Sequence, residues 1–264
     1  MGGPITIGRR KVRPFRLRLR YRRNVNLLTP KQLAAFRSAW ATSYTVDDDR
    51  GFAHHAGLHG LPLPIECPHG GELFLPWHRA YLYFFEMALR EFEPSVTIPW
   101  WGWASGQLPD AYTDPSPDNP LTAGPIPPNA QLPGGPSETF RTGPADLPTS
   151  ADVQAALALD DFLDFSETVR GLHNWVHGSI GGSMGSVANA AYDPIFWAHH
   201  SYVDRLWRLW QLRHSSVTLP PSLLGQALAP FPMTVQQTLS VTALGYDYAR
   251  STVSMPLTPV EARQ

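Results

Sequence analysis

The chain has 264 residues, 43% hydrophobic and 16% charged, with nine Trp, nine Tyr and twelve Phe, a size that one core can fill. That content is too apolar for a disordered protein, no run approaches the roughly 20 consecutive apolar residues of a membrane span, and the lone Cys67 excludes an intramolecular disulfide. The net charge of −1 conceals an asymmetry, with nine basic and no acidic groups up to Arg23 and 12 basic against 22 acidic beyond it.

The basic arm, residues 1–23, raises nucleic acid as a partner. Its pattern argues otherwise. Phe15, Leu17, Leu19 and Tyr21 alternate with Arg16, Arg18, Arg20 and Arg22, and period-two alternation predicts a half-buried strand with an arginine-lined outer face. The pair Arg9-Arg10 is like a twin-arginine export signal, yet no apolar region follows it. A cytoplasmic location is therefore expected, with export on a partner left open.

Thr29-Pro30 marks a helix start, Thr as cap and Pro at the first helical position, with Leu33, Phe36 and Trp40 on one face. The acidic cluster Asp47–Asp49 predicts a second helix reaching about Leu58, closed by Gly57, Gly60, Pro62 and Pro64. A third is expected from Pro76 to Phe92, burying Trp77, Tyr81, Phe84, Phe85 and Leu89. Residues 104–150, with eleven prolines, read as a long surface loop that wraps the body or borders a site. Helices resume near Ala151, from about Ser166 to His177 and from Pro194 to Arg213, and the tail holds β-prone pieces at Leu239–Val241 and Tyr246–Tyr248. The whole reads as one mainly α domain: an antiparallel four-helix bundle with long Pro/Gly-rich loops and a few short peripheral strands.

Nine of the ten histidines fall in two blocks: His54, His55, His59, His69 and His78, then His173, His177, His199 and His200. His173 and His177 are four apart, so a helix presents both rings on one face. His200 lies among Phe196, Trp197, Trp207 and Trp210, where an imidazole must find a hydrogen-bond partner or a metal. His78 opens the aromatic third helix in the same way, with His69 nine residues earlier. Three histidines per block suggest two metals facing each other across a bundle. Imidazole donors suit copper, zinc, iron or nickel. A di-iron centre would want several Glu-x-x-His pairs, and Glu66-x-x-His69 stands alone. Two carboxylate-free sites are best matched by a coupled copper pair that binds dioxygen between the metals.

Two segments carry a resemblance. The first is His69-Gly-Gly-Glu-Leu-Phe-Leu-Pro-Trp-His78-Arg79, continuing through Leu82 to Glu86; the second is His173-Asn174-x-x-His177 with Asp193-Pro194-Ile195-Phe196-Trp197-x-x-His200-x-x-x-Asp204. Both resemble the copper signatures of the tyrosinase, catechol oxidase and molluscan hemocyanin family, the coupled binuclear copper proteins, and most of all a short bacterial tyrosinase-like polyphenol oxidase. The similarity runs from about Arg23-Asn24-Val25 to Leu244-Gly245-Tyr246-Asp247-Tyr248.

That resemblance implies two copper ions with O2 as co-substrate, and oxidation of o-diphenols to o-quinones with ortho-hydroxylation of monophenols. Its alternatives are o-aminophenol oxidation on the same site or reversible oxygen carriage. It implies His59, His69 and His78 at copper A, with His54 and His55 competing for the place of His59, and His173, His177 and His200 at copper B. Cys67-Pro68-His69 has the spacing at which relatives join sulfur to imidazole as a thioether; the other reading of Cys67 is a small buried hydrophobe. Asn174 and Glu167 are implied to hold a water that takes the phenolic proton, although an acid in a helix's first turn is also ordinary. Val187 is implied at an open entrance, Phe196 beside the copper B rings, and Arg79, Asp204 and His199 as residues that orient ligands and helices. No covering domain is read after Tyr248. The expected partners are a small phenolic substrate and a copper-delivery companion protein, with no membrane.

Overall fold

The computed structural model describes residues 19–62 and 66–249. Strand β1 (Arg20–Arg22) leads through a turn to α1 (Pro30–Ser43), α2 (Phe52–Gly57) and α3 (Phe74–Phe92). The long loop carries α4 (Asp110–Thr113) and is followed by α5 (Ser150–Ala158), α6 (Phe162–Ile180), α7 (Pro194–Arg213), two short helices α8 (Pro221–Leu224) and α9 (Val235–Thr238), and β2 (Tyr246–Tyr248). The fold is mainly α, with α3 packed on α7 and α1, and α6 packed on α3, α5 and α7. Trp40, Trp77, Trp100, Trp101, Trp103, Trp197 and Trp207 fill the space between helices and are fully buried. No helix among the described residues is long and apolar enough to cross a membrane.

Local chemistry accounts for most boundaries. Thr29 caps α1 in a reciprocal box with Gln32, and Pro30 occupies the first turn. The second helix begins later than its acidic cluster predicts. It starts at Phe52 after Gly51, where a Cβ would lie 1.9 Å from the Val46 carbonyl oxygen, while Asp48 turns back to accept from Arg50. Asp47–Asp49 thus forms a tight turn rather than a first helical turn. In α6 the start is earlier than Ser166, because Asp161 accepts from the Leu163 and Asp164 amides at 2.8 and 3.0 Å and supplies the cap.

Gly171 and Gly178 lie inside α6 with nothing within 4 Å of an added Cβ. Gly171→Ala and Gly178→Ala should each stabilise the chain by about 0.5–1 kcal/mol, read as a higher urea midpoint with unchanged slope. A loss of stability in either would mean that the position serves something other than the helix.

The first and last strands of the described residues meet. β1 pairs in parallel with β2, Arg20 opposite Tyr246 and Arg22 opposite Tyr248. Leu239–Val241, expected to be β-prone, forms a bend and turn instead. The arginine face of β1 is also inverted at its end: Tyr21 is 49% exposed, whereas Arg22 is fully buried. The guanidinium tolerates burial because it meets Glu86 at 2.8 Å, Asp204 at 3.2 Å and the Tyr246 ring at 3.9 Å. Residues 1–18, which hold the rest of the basic arm, lie outside the described segments.

The Pro-rich loop is pinned rather than draped. Tyr112, Leu121 and Ile126 enter the core, and Arg141 pairs with Asp193, the cap of α7, while donating to the Tyr112 and Leu121 carbonyls. Its end then supports the segment after α6, where the Ser183 amide donates to the Phe140 carbonyl at 2.9 Å.

Candidate metal centre

Three helices and the connection between α2 and α3 supply the rings. His59 lies just beyond α2, His78 in α3, His173 and His177 one turn apart in α6, and His200 in α7. His69 comes from the loop between α2 and α3 and is exposed.

The α6–α7 half is tightly drawn together. His200 Nε2 lies 3.2 Å from His173 Nε2 and 3.5 Å from His177 Nε2. Metal–imidazole bonds of about 2.0–2.1 Å would set neighbouring donors of a tetrahedral site about 3.3–3.4 Å apart. Both separations therefore already match the spacing of a ligand set. On the other side, His59 and His78 form a second group of potential donors with His200, and His59 forms a third with Cys67 and His69, the donor atoms within 4.8 Å of one another in each. His200 belongs to both halves, so two ions held here would be neighbours.

Tautomers point the same way. His78 Nδ1 donates to the Phe74 carbonyl at 2.8 Å, and His177 Nδ1 to the Met184 carbonyl at 2.7 Å. A carbonyl accepts and never donates, so these rings carry their proton on Nδ1 and leave the Nε2 lone pair for a metal. His173 Nδ1 is held by Asn174 Oδ1 at 3.0 Å in the same sense.

His199 runs the opposite way. It falls within the same donor group as His173, His177 and His200, but the Trp103 indole donates to its Nδ1 at 3.0 Å, which puts the proton on Nε2 and takes that nitrogen out of the ligand set. The ring instead stacks on His173, 17° from parallel with centroids 5.0 Å apart. His54 is exposed, and His55 packs on Phe85; neither joins a donor group among the described residues, whereas His59 joins two. His69 approaches His59, centroids 5.0 Å apart, and shares no donor group with His78.

Burial dominates the electrostatics. It pushes His78 down to about 3 against the pull of the Phe74 carbonyl, and His177 down to about 4 against that of Met184. Burial likewise drives His59, His173 and His200 well below the ordinary histidine value, reinforced by the neighbouring rings. All stay neutral, the form that binds metal. The sign of the pH effect follows. Below about pH 6.5 the unfolded chain binds protons that the folded chain refuses, so stability falls with pH in that range and is flat above it, by up to about 1.4 kcal/mol per pH unit for each such histidine. Urea midpoints of the metal-free protein from pH 8 to 4.5 should show this bend; equal midpoints at pH 7 and 5 would contradict it.

Cys67 is buried, and burial raises its thiol pKa, so it remains protonated. Its sulfur lies 3.4 Å from His78 Nε2 and within 4.8 Å of a ring nitrogen of His69. Phe196 wedges between the halves, 4.1 Å from the His200 ring, 4.7 Å from His59 and 5.9 Å from His177, fully buried rather than lining an opening. His69, Asn174 and Val187 are exposed at the surface. The Val187–Ala188 segment is moored there by the Leu61 amide, which donates to the Ala188 carbonyl at 3.0 Å.

Glu167 and Asn174 both lie on α6. They are seven residues apart, about 10 Å along α6, and the Glu167 carboxylate is engaged by Arg170 and by the Gly71 amide. The Arg170 contact, chiefly, holds its pKa below the usual carboxylate value.

Arg79 and Asp204 tie the two halves. Arg79 follows His78 and pairs directly with Asp204, four residues past His200. Asp204 also accepts from Arg22, Tyr246 and Tyr248, and Arg79 stacks on Trp207 at 3.7 Å. Burial would raise the Asp204 pKa, but Arg79 and Arg22 outweigh it and hold the carboxylate ionised.

A model of the common central domain of tyrosinase matches residues 49–135 and 128–213, a span containing all six rings. The chain belongs to the tyrosinase family. Other members are similar over much of its length. A-type hemocyanin, units Ode to Odg, of Enteroctopus dofleini is 32% identical over 225 residues, 75% of this chain and 18% of that protein. Tyrosinase of Streptomyces antibioticus is 36% identical over 183 residues, 56% of this chain and 66% of its own length. Among solved structures, a functional unit of octopus hemocyanin superposes with a TM-score of 0.80 at 28% identity, over 92% of this chain and 72% of that one. Tyrosinase from Burkholderia thailandensis shares the fold, with a TM-score of 0.70 at 21% identity, over 92% of this chain and 76% of its own. Members of the tyrosinase family bind two copper ions, and the neutral imidazole groups described above fit that requirement.

Proposed function

We propose that this chain is a copper-dependent oxidase of o-diphenols that also hydroxylates monophenols at the ortho position. The observation that carries the reading is the convergence of His173, His177 and His200 through Nε2, with His200 shared by the group that contains His59 and His78. His59, His69 and His78 would hold one copper and His173, His177 and His200 the other; the bound pair would supply the two electrons that reduce dioxygen. The protein's part is to keep the rings neutral, to aim Nε2 inward through the Phe74 and Met184 carbonyls, and to leave a rim at Val187 and Asn174 open to a planar phenol.

A second reading, reversible oxygen carriage, draws on the likeness to octopus hemocyanin. The exposed rim favours turnover, because a substrate ring can reach it. Copper reconstitution followed by oxygen uptake with tyrosine, a catechol and an o-aminophenol tests both. Sustained uptake with the catechol is expected. Oxygen binding without turnover would favour the carrier, and faster turnover of the aminophenol than of the catechol would reassign the substrate.

With Asn174 Oδ1 on the His173 ring, Asn174→Ala should weaken copper binding about 10–100-fold and depress catechol oxidation and tyrosine hydroxylation together. A loss confined to hydroxylation would instead support Asn174 as part of the proton acceptor. The thioether between Cys67 and His69 also belongs to this proposal. After copper loading in air, Cys67 should resist alkylation, whereas a freely alkylated thiol would exclude the bond.

A further inference from the structure

His69 differs from the other five rings. It stands on an irregular segment, residues 66–73, and is exposed, while its partners lie on or beside helices. The glycines that follow it, Gly70 and Gly71, have nothing within 4 Å of an added Cβ, and Gly71 has φ +75°. Cys67 anchors the start of the segment in the core and Leu73 packs at its end, whereas His69, Gly70 and Gly71 are exposed, so packing does little to place the stretch between them. Among the described residues, its hydrogen bond to α6 runs from the Gly71 amide to Glu167 Oε1 at 3.3 Å. The other carboxylate oxygen, Oε2, accepts from Arg170 Nε at 2.8 Å, which fixes the direction in which Oε1 points. The helix that carries His173 and His177 thus reaches across to the loop that carries His69.

We infer that Glu167 is a positioning residue that latches the His69 loop to α6, and through Gly71 sets the place of the exposed ring of the first metal site. The inference rests on the assignment of His69 as a metal ligand, and it gives Glu167 a task other than accepting the substrate's proton. What matters is an oxygen acceptor in this position. An amide oxygen can replace the carboxylate, whereas a proton acceptor could not be so replaced.

Two measurements on the full chain test it. In the metal-free protein, hydrogen exchange at the Gly71 amide should accelerate about 3–10-fold in Glu167→Ala, the worth of one hydrogen bond of about 0.5–1.5 kcal/mol. In Glu167→Gln it should stay within about twofold of the parent, and Arg170→Ala should fall between the two. In copper titrations, Glu167→Ala should bind the first equivalent as the parent does and the second about 3–10-fold more weakly, with Glu167→Gln restoring it. Unchanged exchange and copper binding in Glu167→Ala, or equal losses in Ala and Gln, would overturn the latch. A parent chain that binds no second copper would instead overturn the metal assignment, so the two failures are distinguishable.

Discussion

Asp204→Ala is expected to cost about 3–5 kcal/mol of stability, the usual penalty for leaving a buried charge without its partner. Asp204 is buried and accepts from Arg22, Arg79, Tyr246 and Tyr248, which come from β1, α3 and β2. Removing the carboxylate leaves the fully buried Arg79 guanidinium without a carboxylate partner, facing the Thr238 carbonyl and the Trp207 ring. Arg22 keeps Glu86, so the damage centres on the junction between α3 and α7, the helices of His78 and His200. Asp204→Asn retains an acceptor and should lose less. Urea unfolding of the metal-free protein measures both. A cost below about 1 kcal/mol for Asp204→Ala would mean that the network is solvated on opening and contributes little.

The second large effect is expected at His200. His200→Ala should reduce bound copper from two equivalents to one at most, and lower oxygen uptake with a catechol by more than the roughly 10–100-fold lost when a ligand's hydrogen-bond partner is changed. The reason is its double membership. Its Nε2 closes the group with His173 and His177, and its ring stacks on His78 with centroids 4.4 Å apart. Asn174→Ala serves as the comparison, since it disturbs the His173 ring without deleting a donor. Two bound coppers with activity within about tenfold of the parent would remove His200 from the site.

How much of this was legible beforehand follows from which signals are local. The cap at Thr29, the start of α7 at Pro194, the i,i+4 pair of His173 and His177, and the aromatic face of α3 are encoded within a turn or two of chain, and the structure has them where the sequence places them. Arg22 was misplaced because periodicity assigns faces by polarity alone. The two carboxylates that neutralise this arginine lie 64 and 182 residues away, beyond any window. The Phe74 carbonyl that aims His78 could have been found from helical spacing, being four residues earlier. The Met184 carbonyl and the Trp103 indole had no such signal, since a backbone oxygen in a 3-10 turn and an indole just before the Pro-rich loop are brought in by tertiary folding. Glu167 shows the converse: a residue of suitable type near the right motif is, in the fold, turned to Arg170 and Gly71.

Copper analysis combined with X-ray absorption on the reconstituted chain probes the central claim, that the imidazoles of two helix pairs clasp adjacent ions. The account predicts two coppers per chain with nitrogen donors and a metal–metal separation of about 3.5–4 Å. A single copper, or two with no metal neighbour within that range, would contradict it.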